Sequence, residues 1–188
     1  MIIAVEGADR AGKMTQSRML AGALRRRGHG ARVAHFPDYA TPVGREIARW
    51  LRSRRERDPR LVHCLLAANR LERIQMLRGH SGVLVLDRYY HSNVAYGMAN
   101  GLGRRWLEAL DSQLPRADLV ILLDIDPAES MRRRGGRRDR FESDARFLGR
   151  VCRAYRRLAR DGRWRVIDAS RDPADVHADV LAAALRRL

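Results

Sequence analysis

The stretch Ile2–Gln16, IIAVEGADRAGKMTQ, constrains the fold of this chain more than any other. Ile2-Ile3-Ala4-Val5 has the length and β-branched content of a buried strand. Gly7-Ala8-Asp9-Arg10-Ala11-Gly12-Lys13 then fits G-x-x-x-x-G-K, and Met19, Leu20, Ala23 and Leu24 recur behind it at helical spacing. In a strand–loop–helix unit of this kind, successive backbone N–H groups turn inward and join the helix N-terminus to cradle phosphate oxygens. The glycines allow the backbone to come close, and Lys13 would reach the outer phosphates of a nucleotide. Met14 departs from the pattern. A Ser or Thr hydroxyl normally meets Mg²⁺ at that place, and a thioether is a poor Mg²⁺ ligand. Thr15 follows, but one residue along a helix points about 100° away.

Lysine and arginine total 38, and Lys13 is the single lysine, which leaves 37 arginines. The one lysine sits where a compact ammonium is needed and a wide guanidinium fork would not fit. Net charge is +16 and the pI is near 11.4. Nucleic acid is the obvious partner for such a charge. However, the arginines are spread over 25–27, 52–60, 132–140 and 153–165, and aromatics at 6% are too few for a stacking platform. Anionic nucleotides and a compositional drift to arginine account for the charge without it. Cys64 and Cys152 form neither a disulfide framework nor a metal pattern, which fits a reducing compartment. The most apolar run, Leu119–Leu123, is too short to cross a membrane. No secretory leader precedes the first strand, so a cytoplasmic protein is expected.

A length of 188 residues suits one domain with a real core. Strands are expected at Ile2–Val5, Arg32–Phe36, Val83–Asp87, Leu119–Leu123 and Trp164–Ile167. Between them the pattern predicts a helix over Lys13–Arg27 ending at Gly28, one starting at Thr41-Pro42, and one from Asp58-Pro59 towards His80. Further helices are expected after Tyr89, around Trp106–Leu110, after Asp126, over Phe147–Leu158 and after Asp172. Asp126 with Glu129 reads as a capping box. Alternating strands and helices imply a parallel sheet, with ligands at the carboxyl ends of its strands. Those ends carry Gly7–Lys13, Phe36–Tyr39, Asp87–Tyr89 and Asp124–Asp126.

With these residues in place the chain resembles the thymidylate kinases over nearly its whole length. The resemblance rests on Glu6–Lys13, Thr15-Gln16, Phe36-Pro37, Asn69-Arg70, Asp87-Arg88-Tyr89 with Ser92, Leu123–Pro127 and Arg140-Phe141-Glu142. It implies a three-layer P-loop α/β fold, a five-stranded parallel sheet flanked by helices, in one domain over residues 1–188 with a lid at about 132–141. It also implies transfer of the γ-phosphate of ATP to dTMP with Mg²⁺, and a homodimer.

By that resemblance Gly7, Ala8, Asp9, Arg10, Ala11, Gly12, Lys13, Met14 and Thr15 enclose the ATP phosphates. Arg10 would stabilise charge on the transferred group. Arg133 would lie against the adenine and Arg140 near the phosphates, with Asp168-Ala169-Ser170 beside the base and Glu142 anchoring the lid helix. Asp87 would position Mg²⁺, directly or through water, and Arg88 would bind the acceptor phosphate. Asp9 would meet the acceptor 3′-hydroxyl, Arg70 the thymine edge, and Tyr96, one turn after Asn93, the 2′ position. Phe36, Pro37, Tyr39 and Leu66 would complete the acceptor site.

Plainer roles stand beside these: a loop-stabilising Asx turn for Asp9, an ion pair for Asp87-Arg88, a solvated helix face for Arg70, a core-edge ring for Tyr96. Tyr39 stands where many relatives have a phosphate-binding arginine, and Leu66 where many have a phenylalanine stacked on thymine; the lost stacking is worth about 1 kcal/mol. A kinase for another (deoxy)nucleoside monophosphate, or a weakly active nucleotide-binding protein with nucleic-acid contacts, is therefore the alternative.

Overall fold

A computed structural model describes residues 1–53, 57–133 and 145–188 of the chain. Five strands, β1 (Ile2–Glu6), β2 (Ala31–His35), β3 (Val83–Asp87), β4 (Leu119–Asp124) and β5 (Arg165–Asp168), form a parallel sheet in the order β2-β3-β1-β4-β5. The helices among the described residues are α1 (Lys13–Arg26), α2 (Pro42–Arg52), α3 (Pro59–Leu71), α4 (Ile74–Gly79), α5 (Tyr90–Ala99), α6 (Arg104–Leu110), α7 (Pro127–Arg132), α8 (Ala145–Gly162) and α9 (Pro173–Leu185). The five-stranded parallel sheet flanked by helices is the fold class that the sequence pattern implies.

The central strand β1 has both faces covered, so its apolar run is continuous rather than alternating. Ile3 and Val5 pack with Ile121, Leu123 and the α1 residues Leu20 and Leu24 on one face. Ile2 and Ala4 pack with Leu84, Leu86, Phe36 and Tyr89 on the other. Register pairs Val5 with Asp87 on one side and with Ile121 on the other. The carboxyl ends of the strands therefore line up on one rim, and the loops that leave them meet there.

Helix starts follow local chemistry. Thr41, Asp58, Asp126 and Asp172 each accept a backbone N–H from inside the helix they precede, at 2.8–3.0 Å, with Pro following each cap. The capping box at Asp126 is a correction. Glu129 turns its carboxylate to Arg132 and Arg133, because two cations in the last turn attract it more than a backbone amide does. The long helix from Asp58 to His80 is a second correction. It breaks into α3 and α4 at Glu72-Arg73. There Glu72 accepts the Val43 backbone N–H at 3.1 Å, and Arg73 reaches Asp38 at 2.7 Å. These contacts tie the break to the loop after β2. The expected lid at about 132–141, with Arg140 and Glu142, lies outside the described residues from position 134 on.

Candidate active site

The loop after β1 is bent by backbone geometry that requires glycine. Gly7 has φ 147°, and a Cβ there would stand 2.6 Å from the Leu123 carbonyl oxygen. Gly12 has φ 86° and caps α1. Arg10 has φ 61°, a left-handed conformation that is uncommon outside glycine and clusters at functional sites. Ala8 and Ala11 are buried, so the loop packs down through its small residues and holds Asp9, Arg10 and Lys13 in place. Ser130 donates to the Asp9 carbonyl at 2.7 Å, and the Arg10 guanidinium reaches the Arg133 carbonyl at 3.3 Å.

Lys13 is nearly buried and its ammonium donates to the Ala8 carbonyl at 2.7 Å. Burial, with Arg88 nearby, pushes its pKa down to about 8, against the pull of Asp9, Asp87 and Glu6. A cleft opens in front of it, lined by Arg10, Lys13, Met14, Thr15, Asp87 and Arg88. His35, at the end of β2, lines it too. Arg133 bonds Glu129 and the Ser170 carbonyl, which brings the base of the expected lid against residues 168–170.

Beside this cleft lies a cavity of about 220 Å³. The nine residues expected at the acceptor site, Asp9, Phe36, Pro37, Tyr39, Leu66, Arg70, Arg88, Asn93 and Tyr96, all line it. Phe36, Pro37, Tyr39 and Arg88 line both spaces, so the two adjoin at these residues. Phe36 and Pro37 are joined by a cis peptide. Ile47, Trp50 and Leu51 of α2 add an apolar wall.

The charged groups are tightly arranged. Asp9 pairs with the Arg88 guanidinium and accepts the Tyr96 hydroxyl at 2.8 Å. Its side chain is thus turned across the site, not onto its own loop. Burial alone would raise the Asp9 carboxyl, but Arg88, Lys13, the Tyr96 hydroxyl and Arg10 hold it below the usual range. Arg88 also reaches Ser92 Oγ at 3.2 Å and lies over the Tyr96 ring. Arg70 is not on a solvated face. It is 3% exposed and forms two hydrogen bonds to Asp111, at 2.7 and 2.8 Å.

A family model for thymidylate kinase matches residues 5–180. The chain is 35% identical to the human thymidylate kinase over 185 residues, covering 95% of this chain and 87% of that one. It is 36% identical over 199 residues to the probable thymidylate kinase of Pyrobaculum calidifontis, with both chains covered in full. Its fold superposes on the thymidylate kinase of Candida albicans with a TM-score of 0.86 at 26% identity, over 98% of this chain and 91% of that one. The chain belongs to the thymidylate kinase family. As a family member it is a nucleoside monophosphate kinase with a P-loop fold.

Several groups that support a thymidylate kinase site carry no clear signal in the sequence. Asp111 is one; nothing local marks it as the partner of Arg70, 41 residues away. His63, fully buried behind Asn93, is another. Glu6 reads in the sequence only as part of a motif. It is fully buried and accepts from the Tyr89 amide at 2.8 Å, Ser92 Oγ at 2.6 Å and the Tyr155 hydroxyl at 3.1 Å. Burial would raise its carboxyl, yet His91, Ser92 and Arg88 together hold it low. Glu6 thereby fixes the start of α5, which carries Asn93 and Tyr96.

Among the described residues that line the phosphate cleft Asp87 carries the one carboxylate, and the described residues hold no group of three or more metal-ligating side chains. Met14 is 39% exposed at the cleft and brings no oxygen. This donor set suits a hard cation held largely by phosphate oxygens and water, with one protein carboxylate, which is the usual manner of Mg²⁺.

Proposed function

We propose that the cavity receives dTMP, that the adjoining cleft receives the phosphates of ATP, and that the γ-phosphoryl group passes between them in line. The observation that carries this is that Arg88 lines both adjoining spaces. Phosphoryl transfer depends on positioning and neutralisation of charge more than on covalent chemistry by the protein. Lys13 and the amides of residues 7–15 hold the donor phosphates. Arg10, placed by its left-handed backbone, counters charge on the transferred group. Arg88 turns from Asp9 towards the acceptor phosphate, and its planar fork suits a bidentate contact. Asp9, held ionised, accepts the 3′-hydroxyl. Tyr96 closes the 2′ side, and Arg70 with Asn93 faces the base. Arg133, bonded to the Ser170 carbonyl, lies on the adenine side of the donor; Arg140, expected near the phosphates, is outside the described residues. Asp87 would hold Mg²⁺, which would supply positive charge to the phosphates.

A second reading is a broader acceptor range. Leu66 offers an apolar wall without an aromatic face, and broad substrate specificity is ascribed to the Candida albicans enzyme. Exposed apolar side chains on two helices support a homodimer: Leu61 and Leu71 of α3 and Trp106 of α6. The free cysteines fit a cytoplasmic setting, and among the described residues no helix is long and apolar enough to cross a membrane.

Incubation with ATP, Mg²⁺ and dTMP should form dTDP and ADP in equal amounts, and EDTA should stop it. ADP without dTDP would overturn the acceptor assignment. Sedimentation velocity should give twice the 21.5 kDa chain mass, and a monomer at micromolar concentration would refute the dimer.

A further inference from the structure

The arginines look dispersed along the sequence, but α8 gathers one set of them. Arg150, Arg153, Arg157 and Arg160 follow at intervals of three and four residues, so they stand in one row along the helix, and Arg146 heads the same row. All five are exposed. At 1.5 Å per residue the row is about 21 Å long. Arg150 Nε donates to the Ala99 carbonyl at 3.0 Å, and its guanidinium lies over the Phe147 ring. Among the described residues no ion pair or hydrogen bond engages the guanidinium of Arg153, Arg157 or Arg160. Asp161, the one acid in α8, is held by Arg104 at 2.6 Å.

Such a row is unfavourable for the helix by itself, because like charges three and four residues apart repel. A drift towards arginine explains why the basic residues are not lysine. It does not explain why no acid stands between them to relieve the repulsion. The opposite face of α8, with Phe147, Val151, Tyr155 and Leu158, is buried in the core, so the row is fixed towards solvent. It runs towards the amino end of β5, where Arg165 is also exposed. The acceptor cavity and the phosphate cleft lie at the carboxyl ends of the strands, and none of these arginines lines either space.

We propose that the arginine row of α8 is a docking surface for the phosphate backbone of duplex DNA, separate from the nucleotide site. Guanidinium forks match phosphate oxygens in geometry and charge. A row of about 21 Å spans about six phosphates of one strand, at one charge per 3.4 Å of duplex axis. Among the exposed large apolar side chains none belongs to α8. The row therefore offers no stacking platform to the bases of a single strand, no apolar wedge to a lipid surface and no anchor to a protein partner. Duplex DNA keeps its bases stacked inside and its charge outside, which is the one feature that this surface can hold. Contacts of this kind read charge and not sequence.

Fluorescence anisotropy of a labelled DNA duplex of about 20 base pairs, titrated with the protein at about 50 to 200 mM salt, makes the test. The parent should bind with a dissociation constant on the order of micromolar at about 100 mM salt, and log K should fall against log salt with a slope of about −4. The triple variant Arg153→Gln, Arg157→Gln, Arg160→Gln should bind about tenfold more weakly or worse and lose about 3 from that slope, with kcat unchanged and Tm no lower. The control Arg26→Gln, Arg186→Gln, Arg187→Gln removes the same charge from exposed positions of α1 and the chain end, and its slope should stay within about 1 of the parent's. Saturating ATP and dTMP at constant ionic strength should not displace the duplex. Equal weakening in the two triple variants would overturn the site and leave net charge alone as the cause. Displacement by the nucleotides, or loss of kcat in the first variant, would place the contact in the nucleotide site and overturn it too. Absence of binding by the parent at about 50 mM salt would overturn the proposal outright. Tighter binding of a single strand, or competition by poly-glutamate as strong as by unlabelled duplex, would overturn the choice of duplex DNA.

Discussion

Lys13 is costly to bury in the folded protein, and Lys13→Met should show that cost directly. Lys13 is 7% exposed, and burial brings its pKa down to about 8 from the ordinary 10.5. Each pH unit of such displacement is worth about 1.4 kcal/mol, so the protonated lysine costs the folded protein about 3 kcal/mol below pH 8. The sign follows from proton counting. Between about pH 8 and 10.5 the unfolded chain carries a proton on Lys13 that the folded protein does not, so the stability of the unmodified protein rises with pH across that window. Methionine has similar length and no charge. The variant should therefore be more stable than the parent near pH 7, by up to about 3 kcal/mol less about 1 for the lost bond to the Ala8 carbonyl. For a chain of this size that is a rise in Tm of about 4–8 °C. The gain should shrink as pH rises from 8 to 10.5, while turnover with ATP and dTMP is lost at every pH. Thermal melts of both proteins without nucleotide, at pH 7 and pH 10, make the measurement. A lower Tm for Lys13→Met at pH 7, or a gain that does not change with pH, would refute the reasoning.

Asp111→Ala removes one partner of a buried ion pair and leaves Arg70 uncompensated; urea melts should show a loss of about 3–5 kcal/mol, and a loss under 1 kcal/mol would mean that Arg70 finds other partners. Met14→Thr restores a hydroxyl at the cleft and should lower the Mg²⁺ concentration needed for half-maximal turnover; an unchanged requirement would show that position 14 does not bear on the cation. Leu66→Phe adds a ring at the cavity wall and should lower KM for dTMP about fivefold, equivalent to about 1 kcal/mol of stacking; an unchanged or higher KM would show that the base does not lie against this wall.

The parts of this site legible in the sequence are those set by short-range rules. The phosphate loop is written in Gly7, Gly12 and Lys13, the helix starts in Thr41, Asp58, Asp126 and Asp172, and the sheet in apolar runs between them. The remainder depends on partners brought together by the fold. Glu72 and Arg73 carry no helix-breaking chemistry of their own; the break between α3 and α4 comes with their contacts to Val43 and Asp38. Arg70 reads equally well as a solvated residue until Asp111 is seen beside it. His63 sits among apolar residues of α3 with no ligand spacing, and only its neighbours Asn93 and Asn100 give its ring a direction. Asp9 reads locally as a turn residue, but Arg88 and Tyr96 draw its carboxylate across the site.

Coupled ADP release by the purified protein with ATP and Mg²⁺, comparing dTMP with dUMP, dCMP, dGMP and UMP, tests the central claim most directly. The account predicts turnover with a clear preference for dTMP, lost in Lys13→Met. Preference for another nucleotide, or tight ATP binding with no turnover on any of the five, would contradict it.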